Sequence, residues 1–471
     1  MNHYDLVIVG AGSGNGLIGP EMDDWKIAIV EKDVFGGTCL NKGCIPTKML
    51  IHPADLAHEA RHSDRFGVHS SVQSVDWPAM VERVFGRIDP IAADGEKYRR
   101  SLSNVAVYGS HGHFVGPKEM EVEGVRFTAD RFVLAAGARS MIPSIPGLDA
   151  AFGPVVPFHT SDDVMRLATF PEHIIILGGG FIAAEMAHMF GGLGAKVTII
   201  NRGQNLLRHE DQDISERYTE IASHRYNVFG GATLNKVTDF EGDFTVHFTQ
   251  NGTPKTVTGD VVLVATGRIP NGELLSPEHT ELHMDPSGAI PVDDHGRTNV
   301  DGIWALGDLN GRHQLKHMAN GEARVVQHNL LHPDDLRSFE HRPAPHAVFT
   351  NPQVGSVGMT EGDAMASGKP YVAITHDYSG AAWGWALEDT TSFAKLIGDP
   401  TTGMLLGAHI IGSHSATLVS LLVQGMYLGN TIDQMAHDVV YIHPAPSEVV
   451  EQALLKLLDA ICGSACKVCR L

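Results

Sequence analysis

Short runs of consecutive apolar residues recur along the chain, and several of them end on glycine. Tyr4 to Val9 is the first, closed by Gly10-Ala11-Gly12-Ser13-Gly14-Asn15-Gly16. Lys26 to Val30 is the second and stops at Glu31. Runs of this length, bounded by turn residues, read as buried strands. A helical spacing of apolar positions starts at Met49 and Leu50 and continues through Leu56 and Ala60, and a mixed helical stretch extends to about Arg100. Phe132 to Gly137 is a further strand with a glycine stop, and Pro143, Pro146 and Gly147 behind it mark a crossing between domains. A second strand–turn–helix–strand unit opens near His173, with strands at Ile174–Leu177 and Lys196–Ile200. Phe244 to Phe248, Asn251-Gly252 and Val257 to Leu263 predict a hairpin. Val264 to Arg268 marks a return to the first unit, and Gly302 to Asp308 is another strand ending in an acid. From about His341, short strands (Ala347–Thr350, Tyr371–Thr375, Phe393–Ile397, Leu405–Ile411) alternate with helices. The expected class is α/β, and 471 residues suggest about three domains.

Composition narrows the partners. A net charge of −20 argues against nucleic acid, since phosphate binding needs basic patches. No apolar stretch is long enough to span a bilayer, so no membrane partner is expected. No basic segment precedes the first apolar run, which therefore reads as a strand rather than a signal peptide. A cytoplasmic location follows as the expectation, and there an oxidised cysteine pair is normally catalytic. Of the five cysteines, Cys462, Cys466 and Cys469 crowd the last ten residues.

Two glycine turns carry dinucleotide signatures. In the first, Gly10, Gly12 and Gly14 follow a strand, and Glu31 lies about twenty residues on, where an acid can hold a ribose hydroxyl. Asn15 stands where the usual third glycine would be. In the second, Gly178 and Gly180 open a helix, but the next strand ends in Asn201-Arg202 rather than an acid, with Arg208 six residues on. Guanidinium groups suit a 2′-phosphate, so NADPH is expected over NADH; both arginines as plain surface charges is the alternative. His58-Glu59-Ala60-Arg61-His62 has zinc-protease spacing, but no third ligand follows, and a solvated helix face is the better explanation, so no metal is expected.

Cys39 and Cys44 flank Asn41-Lys42-Gly43 just before the helical pattern. Cysteines at a helix start feel the positive end of its dipole, which favours thiolate. A close pair with one lowered pKa suits thiol–disulfide exchange; two structural cysteines, or half a zinc site, fit the spacing too.

The contiguous stretch Gly36 to Lys48, GGTCLNKGCIPTK, resembles the redox-active segment of the class I flavoprotein pyridine nucleotide-disulfide reductases, the family of glutathione reductase and dihydrolipoamide dehydrogenase. The resemblance implies two Rossmann-like dinucleotide-binding domains and a C-terminal α+β dimerisation domain. It implies FAD at the first glycine turn, with Gly37, Thr38, Gly137, Gly267 and Asp308 among the cofactor contacts, and NADPH at the second. It makes Cys44 the sulfur beside the flavin and Cys39 the outer thiol. Lys48 and Glu185 would pair beside the flavin ring. His443 and Glu448 would form a base dyad supplied by the other subunit of a homodimer. The implied boundaries are 1–150 and 275–340 for the FAD domain, 151–274 for the NADPH domain, 341–460 for the dimerisation domain and 461–471 for a cysteine-containing tail. A mobile tail is the reading adopted, with a metal-binding or relay role as the alternative.

The substrate implied is a low-molecular-weight disulfide. Segments outside the shared motifs, among them Val84 to Ile91, Lys316 to Asn320 and Tyr378 to Asp389, resemble the member acting on mycothiol disulfide. Dihydrolipoamide or Hg(II) chemistry is the alternative within the family. Arg87 and Tyr98-Arg99 are candidate pocket residues, with surface charge an equal reading.

Overall fold

A computed structural model describes residues 1–339 and 342–463. The expected α/β class holds. Strand β1 (Asn2–Val9) is followed by β2 (Ile27–Val30), helices α1 (Gly37–Asn41), α2 (Cys44–His62) and α3 (Trp77–Ser101), and then β3 (Val105–Tyr108), β4 (Gly112–Gly116), β5 (Glu119–Val122) and β6 (Val125–Leu134). These strands lie in the order β3-β2-β1-β6-β5-β4. The half from β3 to β6 is parallel, and β4 and β5 add to it antiparallel. A strand far along the chain, Ile303–Ala305, joins the C-terminal half of β6 in parallel. The carboxyl ends of β1, β2, β6 and this late strand therefore converge, and in open α/β sheets that edge is where ligands bind.

One expectation fails here. No α-helix follows the first glycine turn; the chain makes 3₁₀ turns at Ser13–Leu17 and Pro20–Met22 instead. Gly14, Gly16, Gly19 and Pro20 are poor helix formers, and β2 begins only ten residues after Leu17.

The short strand β7 (Ala138–Ser140) pairs with the later Arg268–Pro270 as the chain leaves and re-enters this unit. Between them, β8 (His173–Leu177), α4 (Phe181–Leu193), β9 (Lys196–Ile200), α5 (Gln212–Arg225) and β10 (Asn227–Phe229) build a parallel sheet, completed by Val261–Val264 in the order β10, β9, β8 and that strand. A separate antiparallel sheet holds β11 (Ala232–Phe240), β12 (Asp243–Gln250) and β13 (Thr253–Gly259). The predicted Asn251-Gly252 turn forms, both residues having positive φ (50° and 75°), as a two-residue hairpin requires. The expected single run Val257–Leu263 is instead divided. It changes sheet at Gly259, where a Cβ would meet the His173 carbonyl oxygen at 2.6 Å, and β14 (Val261–Val264) pairs with β8.

After β15 (Arg268–Pro270) and β16 (Ile303–Ala305) comes helix α6 (Lys316–Leu331). It lies over the first glycine turn: Lys316 Nζ bonds Ser13 Oγ at 2.9 Å and Gln327 donates to the Leu17 carbonyl at 2.9 Å. The C-terminal sheet is antiparallel, made of β17 (His346–Val348), β18 (Gln353–Gly358), β19 (Val372–Asp377), β20 (Phe393–Gly398) and β21 (Leu405–Gly412) in the order 17-18-21-20-19. Helices α7 (Glu361–Ala366), α8 (Ala382–Leu387), α9 (Ser415–Leu428), α10 (Ile432–His437) and α11 (Ser447–Cys462) accompany it. Strand β18 was not anticipated. Its glycines hide the pattern because α9 lies close: a Cβ on Gly355 would reach the Ser415 carbonyl oxygen at 2.6 Å.

Helix α2 shares one apolar core with α4. Leu50, Ile51 and Ala54 are buried with Ala183, Ala187 and Phe190. Cutting a buried leucine here to alanine costs about 2–5 kcal/mol. The redox segment is thus seated against the second dinucleotide unit. Among the described residues no helix is long and apolar enough to cross a membrane.

Candidate active site

The converging strand ends open onto a cavity of about 990 Å³, at the upper end of the range of small-molecule sites. Gly10, with φ +104°, stands where a Cβ would lie 2.2 Å from the Ala135 carbonyl oxygen. Gly37, with φ +65°, would put a Cβ 2.7 Å from the Cα of Gly12. Two backbone turns thus meet with no side chain between them, leaving their amides to face an anionic group. Glu31 holds this arrangement as well as lining the cavity. Its two oxygens accept from Ala11 N at 2.7 Å and Asp33 N at 2.9 Å. Thr38, Gly137 and Asp308 also line the cavity. Burial pushes the Asp308 carboxyl above its usual range, against the pull of Arg268. Gly14 lies beneath the turn instead, where a Cβ would meet Ile8 and Ala135 side chains at 2.9 Å. Gly267 sits outside the cavity wall, its carbonyl accepting from Met141 N. The elongated cavity, the bare backbone turns, the acid at the end of β2 and the cysteines at one wall fit FAD.

Cys39 rides on α1, and Cys44 is the first residue of the 19-residue α2. Both are free thiols and both line the cavity. The Cys44 side chain hydrogen-bonds the Cys39 sulfur, and this contact, aided by Lys316 and the Cys44 backbone N–H, lowers the Cys39 thiol to about 7 despite burial. Cys44 is driven up by the same contact and by burial. The dithiol therefore stores its negative charge on Cys39, the form needed for attack on a disulfide.

Lys48 and Glu185 both reach this cavity but do not pair directly. Phe349 stands between them: its N–H donates to Glu185 Oε1 at 2.9 Å, and Lys48 Nζ lies 4.2 Å from its ring centre. Burial raises the Glu185 carboxyl to about 7, with Cys44 adding to the rise and Lys48 opposing it.

The second glycine turn is built like the first. Gly178, with φ +126°, would place a Cβ 2.2 Å from the Ala265 carbonyl oxygen. Gly180 caps α4, with open space around it. Asn201, in the acid's place, is buried and donates to the carbonyls of Gly203 and Asn205 at 2.9 and 2.8 Å, closing the loop that carries Arg202 and Arg208. Both guanidinium groups are exposed. Gly178, Gly180, Arg202 and Arg208 lie outside the cavity wall, whereas Phe181 and Ile182, which follow Gly180, are in it.

His443 and Glu448 form the expected dyad, Nδ1 to Oε1 at 2.6 Å. Glu448 is buried in the first turn of α11, whereas the His443 side chain is 72% exposed. The dyad does not line the cavity holding Cys39 and Cys44. Around it, Val440 and Ile442 are exposed apolar residues.

Among the described residues, no three His, Cys, Asp or Glu side chains gather as a metal site would require. In the zinc-protease-like segment, Glu59, Arg61 and His62 are exposed, but His58 turns inward, where burial and nearby positive charges lower it to about 3. Cys462 closes α11 and is disulfide-bonded; Cys466 and Cys469 lie outside the described residues. Lys316, Glu210 and His346 are among the cavity residues not foreseen as site residues. Lys316 falls in a distinctive segment of the sequence, whereas Glu210 and His346 meet only in the fold.

Two dinucleotide folds around one cavity, with a cysteine pair at its wall, define a flavin-dependent disulfide oxidoreductase. Residues 4–323 match the pyridine nucleotide-disulphide oxidoreductase family and residues 344–454 match its dimerisation domain, and the chain belongs to this class I family. It is an FAD enzyme that works with NAD(P)H. Its sequence is 45% identical to mycothione reductase of Mycobacterium tuberculosis over 470 residues, covering 97% of this chain and all of that protein. It is 32% identical to dihydrolipoyl dehydrogenase of Corynebacterium glutamicum, covering 96% and 97% of the two chains. The HOCl-induced flavoprotein disulfide reductase RclA from Escherichia coli superposes with a TM-score of 0.82 at 27% identity, over 97% of this chain and 99% of that one.

Proposed function

We propose that this chain is an NADPH-dependent reductase of mycothiol disulfide, acting as a cytoplasmic homodimer. The observation that carries the reading is the 45% identity to mycothione reductase across nearly the whole chain, against 32% or less for dihydrolipoyl dehydrogenases. The absence of an acid at Asn201 and the exposed Arg202 and Arg208 support NADPH. The division into 1–150 with 275–340, 151–274, 341–460 and a tail at 461–471 belongs to the same proposal.

The cavity lined by Gly10, Gly12, Glu31, Gly37, Thr38 and Asp308 would hold FAD, which when bound would supply two-electron transfer between NADPH and the Cys39–Cys44 disulfide. The residues do the rest. Gly10, Gly12, Gly37 and Thr38 would offer backbone to the pyrophosphate, Glu31 holds the turn through Ala11 and Asp33, and Asp308 lines the cavity. Lys48 and Glu185 place a cation and a carboxyl of raised pKa on the wall nearest Cys44. Once reduced, Cys39 thiolate attacks one sulfur of the substrate. The substrate S–S bond breaks, a mixed disulfide forms, and the first thiol leaves with a proton from His443 of a second copy, oriented by Glu448. Cys44 then attacks Cys39, the second thiol leaves, and the internal disulfide is restored.

The test is a panel: NADPH and NADH oxidation by the purified enzyme with mycothiol disulfide, glutathione disulfide, lipoamide and Hg(II). Mycothiol disulfide with NADPH should turn over fastest, and Cys39→Ser should abolish turnover while the flavin stays reducible. A clear preference for lipoamide with NAD(H) would overturn the assignment.

A further inference from the structure

The loop after β9 and the strand closing the cavity are joined by an acid–histidine pair, its carboxylate buried and its imidazole half-buried, that the electron route does not use. Glu210 ends the Arg202–Glu210 loop, and its side chain is 7% exposed. Its Oε1 meets His346 Nε2 at 2.8 Å, and its Oε2 accepts from the Ser356 hydroxyl of β18 at 2.5 Å. His346 opens β17 and lines the cavity that holds Cys39 and Cys44. The loop is anchored at its other end on the second glycine turn, where Leu207 N–H donates to the Gly179 carbonyl at 2.7 Å. Glu210 N–H then donates to the Leu207 carbonyl at 2.9 Å. Three residues beyond His346, Phe349 N–H donates to Glu185 on α4. One strand thus touches the second dinucleotide unit twice, each time through a buried carboxylate. A buried ion pair adds little stability over apolar packing and is better suited to fixing one arrangement.

We propose that Glu210 and His346 are a positioning pair. They hold the Arg202–Arg208 loop, and the pyridine nucleotide bound there, in register with the redox cavity. The inference rests on the nucleotide assignment proposed above. The pair is sensitive to pH. Burial pulls His346 down, but the hydrogen bond and charge of Glu210 hold it above its ordinary value. Burial pushes Glu210 up, but His346 and Ser356 hold it below. The other titratable groups facing the pair are His409 of β21, which helps lower Glu210 and is itself lowered by His346, and Asp211 next in the chain, which acts on His409. On the α6 side stands His317, whose Nε2 bonds the Pro345 carbonyl. The pair is ionic below the raised pKa of His346, and its attraction weakens as the pH rises through that pKa.

The experiment is calorimetric titration of the FAD-loaded enzyme with NADP⁺ between pH 6 and 9, for the wild type, His346→Gln and Glu210→Gln. At pH 6.5 His346→Gln should bind NADP⁺ about 5- to 10-fold more weakly, the lower end of coupling between linked sites. The wild-type affinity should fall toward that of the variant as the pH rises, while the variant keeps only the pH dependence of the 2′-phosphate. Glu210→Gln, which keeps a hydrogen bond without the charge, should match His346→Gln in its lost pH step. Equal affinities across the range, or a weakening in both variants with the wild-type pH step intact, would overturn the inference. Failure of the wild type itself to favour NADP⁺ over NAD⁺ would instead reject the nucleotide assignment.

Discussion

Gly37→Ala tests whether the meeting of two bare turns makes the flavin site. The new Cβ would stand 2.7 Å from the Gly12 Cα, where carbon atoms ordinarily rest about 3.5–4.0 Å apart. Both partners are backbone, so neither can swing aside. The φ of +65° adds about 1–2 kcal/mol for a residue with a Cβ, and forcing the turns apart costs about 1–3 kcal/mol more. The sum is about 2–5 kcal/mol. If the turns separate in the empty protein and must close again on FAD, all of it falls on binding, a loss of about 30- to several-thousand-fold at 1.4 kcal/mol per decade. If they stay closed, it falls on folding stability. Two measurements divide these outcomes: the FAD dissociation constant of reconstituted apoprotein, read by flavin fluorescence, and the Tm of the apoprotein. Gly16→Ala is the control, because nothing lies within 4 Å of its Cβ position and its φ is not positive; it should change either quantity by no more than about 0.5 kcal/mol. A Gly37→Ala protein with wild-type affinity and wild-type Tm would refute the reasoning.

Removing the cation beside the cysteines should raise the Cys39 pKa from about 7, since Lys316 favours its thiolate. In the reduced enzyme the alkylation rate by iodoacetamide should rise with pH through about 7 in the wild type and through a higher pH in Lys316→Met; coincident profiles would count against the contact. Glu185 titrates at about 7 when folded against an ordinary 4.5, so the folded state holds its proton more tightly, and stability is lost as pH rises between those values. Glu185→Gln removes that loss, so its stability relative to wild type should improve by on the order of 3 kcal/mol from pH 4.5 to pH 8, measured by urea unfolding of the apoproteins; a constant difference would refute the burial argument. Replacing Arg202 and Arg208 together by alanine should raise KM for NADPH at least about tenfold, from the loss of charge-assisted hydrogen bonds, and leave KM for NADH within about twofold. Equal effects on both nucleotides would make the arginines plain surface charges.

The parts legible in the sequence were those made by contiguous residues. Short apolar runs closed by a glycine, an acid or an asparagine located β1, β2, β6, β8 and β9, and the Asn251-Gly252 turn located its hairpin. Cys39 and Cys44 were read as a pair from the resemblance of the contiguous Gly36–Lys48 segment, and His443 and Glu448 lie close enough in the chain to meet without long-range closure. What was hidden depends on approach between distant segments. β18 was masked because Gly355 and Gly358 serve the close fit of α9 and β21, where a Cβ on Gly358 would reach the Leu406 carbonyl oxygen at 2.2 Å. The helix expected after Gly10–Gly16 yielded to local propensity, and its place over the turn is taken by α6, three hundred residues later. The Glu210–His346 contact, 136 residues apart, left no local signal at all. Lys48 and Glu185 were matched as a pair, yet the ring and amide that mediate between them belong to Phe349, a residue no motif singles out.

The arrangement of the two acid–base systems bears on why the proposed enzyme needs two copies. Cys39 already has a pKa of about 7 from neighbours within its own chain, so thiolate formation does not require His443. In the proposed mechanism the histidine's task falls on the leaving thiol, a group that exists only after substrate has entered. The chain's own dyad cannot serve, because it lies outside the cavity wall with its imidazole facing solvent. Exposed Val440 and Ile442 flank that imidazole, and apolar surface of this kind is retained where a partner covers it. The buried Glu448 fixes the ring before the partner arrives, at 2.6 Å and from the first turn of α11. In the proposed dimer, one burial event covers the apolar rim and delivers a pre-oriented base to the other copy's cysteine. Assembly and proton transfer are then a single requirement, and a chain kept monomeric should form the mixed disulfide slowly, because the first thiol must then leave without a proton from the partner's imidazole.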